Sequence, residues 1–465
     1  MQLPTDNAGR TRLLPGALPL RFFAAAAVFQ AAAWLLLAAT GLPPPRSGGL
    51  GPAVAALHLF TLGSLGITVV GASLQLLPVA LVQSAPPPAL VRGLWWLLVP
   101  GVAVLAAGMA WRSVPLAIAG ALPVVLGLGV HALLLARLLA AARRQRALTA
   151  HGWLALSCLL GVLATGPVLL LHYRFGWPLE LRGLALAHFL LGSYGFMGLL
   201  ASGLSYLLVP MFVVARGPDE ATQRRVLGVL VLALGGAVAL VWSGRAAQSA
   251  PGVAALGLLI LLGLGAAVVH VRALVATVRR RRNREAPWIP VLMFVAWAGL
   301  LASLLLGFLL AAALFLGGAV TTDMTDVGQS AWATALVSWQ RARPGPMLVA
   351  LVLLAWLQSF TLAMLLRIVP FLSAVHARVE AQAMPPLRSL VSPLLAWSLV
   401  AAHLSGLAGL LYGLAAGQAL GVRLAGLIGA AGALALLGFI LSMRGRALQQ
   451  ARVLTNDKAA AQAER

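Results

Sequence analysis

The stretch His188–Phe212, HFLLGSYGFMGLLASGLSYLLVPMF, decides how the chain is read. It is apolar along its whole length, opens on a histidine, closes near a proline, and is punctuated by Gly192, Gly195, Gly198 and Gly203. Aligned on its closing proline, Gly203-Leu-Ser-Tyr-Leu-Leu-Val-Pro210 falls on Gly71-Ala-Ser-Leu-Gln-Leu-Leu-Pro78, with Gly, Ser and Pro in register. Ala363-Met-Leu-Leu-Arg-Ile-Val-Pro370 follows more loosely. Gly63 pairs with Gly195, and His58 and His188 precede the first two copies, out of step by two residues; the third copy has no histidine there. A widely spaced internal repeat of this kind is a statement about the fold.

Composition sets the class. Of 465 residues, 61% are hydrophobic and 9% charged, with mean hydropathy +0.96, far beyond the roughly half-apolar makeup of soluble domains. The chain reads as an all-α polytopic membrane helix bundle. At about 20 residues per crossing, spans fall near 18–40, 51–83, 89–112, 114–142, 149–173, 184–215, 225–244, 251–278, 287–318, 346–376, 388–415 and 418–443, separated by Pro, Gly or charge. About twelve transmembrane helices in a pseudo-threefold 4+4+4 arrangement are expected, with repeats near 18–142, 149–278 and 287–443 and the motif on the second span of each. Residues 1–445 then form one membrane domain, and 446–465 a polar cytoplasmic tail expected to fray. The segment 319–345, with Asp323, Asp326, Trp332 and Trp339, suits a short amphipathic piece at the interface. The first apolar run is too long for a signal-peptide core and is read as the first span. Cys158 has no second cysteine to pair with and reads as a small core residue.

The formal charge of +23 does not point to nucleic acid, because 25 of the 33 basic residues sit in alternate loops and only 8 in the others. Under the positive-inside rule this puts both termini in the cytoplasm, and the run Arg279–Arg282 reads as a topology anchor against anionic lipid. No nucleic-acid partner is expected; the lipid bilayer is.

The candidate chemistry is histidine. No Asp or Glu lies well inside a span, which weakens an ion-coupled transporter, since pumps want buried acids. Neutral imidazoles suit haem iron, copper or zinc; hydrogen bonding inside the bundle is the competing role for each. His58 lies about 10 Å in from the outer side at 1.5 Å per residue, His188 slightly less deep, His172 closes the fifth span on that side, and His403 sits in the outer half of the eleventh. His131 is nearer mid-membrane and His270 nearer the cytoplasm. The glycines of the motif line one helical face, open either to close helix packing or to a planar macrocycle. Arg367, three residues before Pro370, either snorkels to the inner interface or pairs with an anionic group such as a propionate or phosphate.

Twelve spans in three pseudo-repeats, with LHLFTLGSLGITVVGASLQLLPV (57–79), AHFLLGSYGFMGLLASGLSYLLVPMF (187–212) and LLRIVPFL (365–372), resemble the divergent, shorter membrane proteins grouped with subunit I of the haem-copper oxidases. The resemblance implies a bacterial cytoplasmic (inner) membrane, respiratory-chain subunits as partners, and haem b and copper as cofactors. It makes His58 the haem ligand of the second span and puts His188 on the span that supplies the first copper ligand. The candidate cofactor-binding residues are thus His58, His188, His403 and Arg367, and the candidate metal ligands His58, His172 and His188. The chain departs from the family's pattern where span 7 has no histidine and span 10 only His376 at its cytoplasmic end. A complete oxygen-reducing centre is therefore not expected; the expectation is a haem- or metal-binding protein in redox, gas or copper chemistry, or else a non-catalytic transporter or accessory subunit of a respiratory complex.

Overall fold

The computed structural model describes residues 12–42, 49–142, 145–177, 180–244, 249–282, 286–323 and 343–463. It contains twelve helices long and apolar enough to cross a membrane. They are α1 (Ala17–Thr40), α2 (Pro52–Leu81), α3 (Pro88–Ala110), α4 (Val114–Ala140), α5 (Arg146–Phe175), α6 (Leu181–Val213), α7 (Glu220–Trp242), α8 (Ala250–Arg279), α9 (Trp288–Asp323), α10 (Pro344–Ala381), α11 (Pro393–Ala415) and α12 (Ala419–Ala463). The protein is a multi-pass membrane helix bundle. The interface piece expected over 319–345 falls largely outside the described residues, and α9 continues to Asp323.

Local chemistry starts and stops these helices. Pro52, Pro88, Pro344 and Pro393 stand in the first turn of α2, α3, α10 and α11, where a missing N–H costs nothing. The side chains of Glu180, Asp219 and Ser249 accept from the backbone N–H three residues on, capping α6, α7 and α8.

Nine helices form a closed outer ring in the order α1, α3, α4, α5, α7, α8, α9, α11, α12, with α12 packed back on α1. The other three, α2, α6 and α10, lie inside and touch one another. Their most apolar windows are 61, 78 and 78% buried against 22–50% for the ring. Lipid is as apolar as leucine, so close backbone approach rather than the hydrophobic effect holds such helices together. Gly108 and Gly120 show it: a Cβ on either would run into the backbone of the facing helix, at Ala117 and Leu105.

The inner helices share a feature that no sequence period announced. Each contains a π-helical stretch, Leu59–Gly66 in α2, Leu191–Met197 in α6 and Leu351–Gln358 in α10. These open at the same interval before Pro78, Pro210 and Pro370, and it is through them that the three helices meet at the centre. A π turn loosens the carbonyl ladder. In matching positions the Thr61 and Ser193 hydroxyls donate to the Leu57 and Phe189 carbonyls at 2.9 and 2.6 Å. The first two copies also end alike, with Val82 and Val214 in the left-handed region (φ 59° and 51°).

The tail differs from expectation. Instead of fraying, α12 runs on to Ala463, with Ala447 and Ala451 fully buried. The Thr455 hydroxyl donates to the Ala381 carbonyl at 2.7 Å, Gln450 bonds Ser389, and Arg444 pairs with Glu380 at 2.9 Å. A polar sequence here means a helix that has left the apolar zone and found partners at the end of α10.

Candidate functional site: histidines among the inner helices

The end of the bundle where α1 begins and α12 ends carries most of the arginine and is called here the arginine-rich end. His58 and His188 lie toward the opposite end, on α2 and α6, just before the π turns. His58 Nδ1 sits 2.9 Å from the Val54 carbonyl, which can only accept, so this nitrogen carries the proton. His188 Nδ1 sits 2.8 Å from the Thr165 hydroxyl; with that hydroxyl's one proton on the Gly161 carbonyl at 2.8 Å, His188 Nδ1–H is the donor. Both rings are left with an Nε2 lone pair that no group among the described residues engages. A carbonyl or hydroxyl holding one nitrogen while the other faces outward is the arrangement that fixes a metal-binding imidazole. Each ring is only half-buried.

The other candidates go elsewhere. His172 donates from Nδ1 to the Trp177 carbonyl at 2.6 Å and closes the turn after α5. His403, buried on α11, pairs through Nε2 with the Ser359 hydroxyl at 2.8 Å, directly after the π turn of α10. Arg367 lines a cleft at the arginine-rich end with Arg281, Phe212 and Pro290. His188 and Phe212 stand at opposite ends of α6, roughly 35 Å apart at 1.5 Å per residue, so Arg367 does not join the imidazole pair. The structure places His58 and His188 in like positions just before the π turns of α2 and α6 and distributes the rest.

The glycine faces are packed. A Cβ on Gly63 or Gly71 would lie 2.6 Å from the Cβ of Phe29 or Phe22 on α1, one on Gly195 would meet the Cys158 sulfur, and one on Gly198 the Trp356 ring. These faces receive side chains, so they offer no slot for a planar macrocycle. Either open Nε2 has the donor chemistry for a metal ion, or for the axial position of a haem lying away from those faces. Among the described residues no three His, Cys, Asp or Glu side chains converge on a metal-sized point.

Several polar contacts were not visible in the sequence. Ser64 donates to Gln358 Oε1 at 3.2 Å and Gln358 Nε2 to Gln30 Oε1 at 3.0 Å, a buried chain tying two π turns to α1. Tyr194 donates to the Ser303 hydroxyl at 2.9 Å. Tyr206 lies between His151 and His270. His131 is fully buried with neither ring nitrogen engaged.

Outside the spans, Asp219 accepts from both the backbone N–H and the hydroxyl of Thr222 at 2.8 and 2.9 Å. These bonds, the backbone one first, hold its carboxyl below the usual range.

No protein-family model matches the chain, and no curated protein matches it.

Proposed function

We propose that the chain is a haem- or metal-binding integral membrane protein on a helix arrangement like that of haem-copper oxidase subunit I, working in redox, gas or copper chemistry without a complete oxygen-reducing centre. The observation that carries this is the pair of half-buried imidazoles, His58 and His188, each with Nδ1 fixed and Nε2 open. Bound there, haem iron or copper would supply one-electron or gas-binding chemistry. The packed glycine faces favour a bare ion over a macrocycle.

The same proposal includes three four-helix units, supported by the π turns on α2, α6 and α10, each opening at the same interval before its proline. It also puts the arginine-rich end in the cytoplasm of a bacterial inner membrane, with respiratory-chain subunits as partners, supported by the arginine distribution. A second reading, a metal-handling transporter or accessory subunit, is favoured by one observation: imidazoles with free lone pairs occur at several levels of the bundle, His58 and His188 toward one end, His131 within α4 and His151 toward the other end.

The test is metal analysis with an absorption spectrum of the purified full chain, repeated for His58→Ala and His188→Ala. The expected result is haem or copper that either substitution depletes at least tenfold. Neither metal nor Soret band, or occupancy unchanged in both variants, would sink the proposal.

A further inference from the structure

A second group of ligating side chains lies nearer the arginine-rich end, on three helices. His151 is about 8 Å from the start of α5, Tyr206 about 11 Å from the end of α6, and His270 about 14 Å from the end of α8, at 1.5 Å per residue. Gly203 makes room for the first of them: a Cβ there would lie 2.7 Å from the His151 Cβ. Tyr206 follows one turn later on the same face of α6. Its ring meets both imidazoles edge to face, at 5.8 Å from His151 and 4.9 Å from His270, each at 73°. The Tyr206 hydroxyl and His270 Nδ1 are 2.7 Å apart. All three side chains are at most 7% exposed.

One atom in this group has nothing to do. His151 Nδ1 donates to the Ala147 carbonyl at 2.8 Å, so Nε2 carries a bare lone pair. That nitrogen is buried and has no partner. A lone pair held dry on a ring that packs against the Tyr206 phenol awaits an electrophile. The outer pair, by comparison, is half-open; this group is enclosed.

We infer that His151 Nε2, Tyr206 Oη and His270 Nδ1 form a transition-metal site for copper(II), separate from the His58 and His188 pair. Imidazole and phenolate donors are the borderline N,O set that copper(II) takes in tetragonal geometry. With metal–ligand bonds of about 2.0 Å, donors as close as the Tyr206 oxygen and His270 nitrogen subtend roughly 85° at the ion, as cis ligands of a square plane do. Binding replaces the proton shared between these two atoms: the Tyr206 O–H bond breaks, a copper–oxygen bond forms, and the proton leaves to solvent with no change of oxidation state. His270 then carries its own proton on Nε2, which leaves Nδ1 free to ligate.

The probe is copper(II) alone, titrated into the chelator-stripped full chain in detergent and read by absorption and electron paramagnetic resonance. The expected result is a bound equivalent with a phenolate-to-copper charge-transfer band and hyperfine coupling to two nitrogens. Tyr206→Phe, which keeps the ring packing, abolishes the band, and His151→Ala weakens binding by at least tenfold. The double variant His58→Ala with His188→Ala keeps the band, which separates this site from the outer pair whatever the fate of that reading. The inference is overturned if the wild-type chain binds copper without the band, or if Tyr206→Phe leaves spectrum and affinity unchanged. Tyr206→Phe and the wild-type spectrum decide the matter even if His151→Ala does not fold.

Discussion

At the scale of single residues, the strained positions are as informative as the ligands. Val82 and Val214 occupy the left-handed region at the ends of α2 and α6, where a β-branched side chain crowds the following carbonyl at about 1–2 kcal/mol. Both are about half exposed, at 49% and 52%, so little packing is lost by removing them. Val82→Gly and Val214→Gly are therefore each expected to raise stability in detergent by about 1 kcal/mol. Val213→Gly, at a buried helical position one residue earlier, is expected to lower it; the same sign in all three melts would refute the strain. Asp219 gives a pH dependence with a definite sign. Its folded carboxyl titrates below the unfolded one, so its stabilisation is complete above the unfolded value near 4 and fades as pH falls through the lower, folded value. The melting difference between wild type and Asp219→Ala should be constant from pH 8 to 5 and shrink below pH 4; a difference that grows toward acid contradicts the cap.

At the scale of elements, the contact between α3 and α4 depends on glycine. A Cβ on Gly120 overlaps the Leu105 backbone, whereas one on Gly129 of the same helix meets nothing within 4 Å. Gly120→Ala is expected to cost about 1–3 kcal/mol through overpacking. Gly129→Ala should be neutral or gain up to about 1 kcal/mol from helix propensity. Equal melting temperatures for the two would mean that the helices do not approach so closely. The spans themselves were legible, because twenty apolar residues between charged or Pro/Gly punctuation have one physical solution in lipid; 51–83 and 184–215 became Pro52–Leu81 and Leu181–Val213. The proline alignment also located the three helices that meet inside. The π turns were not legible: a helix apolar on every side gives no phase from which an extra residue could be noticed. Nor was the grouping of Tyr206 with His151 and His270, since it depends on which faces of three separate helices are turned together. His58 and His188 were visible as a pair only because both sit beside the repeat's punctuation.

At the scale of the whole molecule, the ring closes where α12 meets α1, and the twelve crossings among the described residues, an even number, put the start of α1 and the end of α12 on the same side. The proposed orientation, with the arginine-rich end in the cytoplasm, has a direct test: a phosphatase that folds only outside the cytoplasm is expected to be active when inserted after Gly176, beyond α5, and silent when fused after the last residue. The reverse pattern would invert the orientation. The π turns carry a further consequence for how this assembly is set. A helix rotates its side chains by about 100° per residue, and each π turn spends an additional residue without a matching advance of the spiral. The half of α2 that carries His58 and the half that carries Pro78 are therefore out of phase, as are the two halves of α6 and α10. The inner helices behave like three dials, each set by a count of residues. Deleting one residue inside Leu59–Gly66 would turn His58 by more than a quarter of a circle relative to Pro78, leaving every other side chain present and the imidazole aimed at the wrong neighbour.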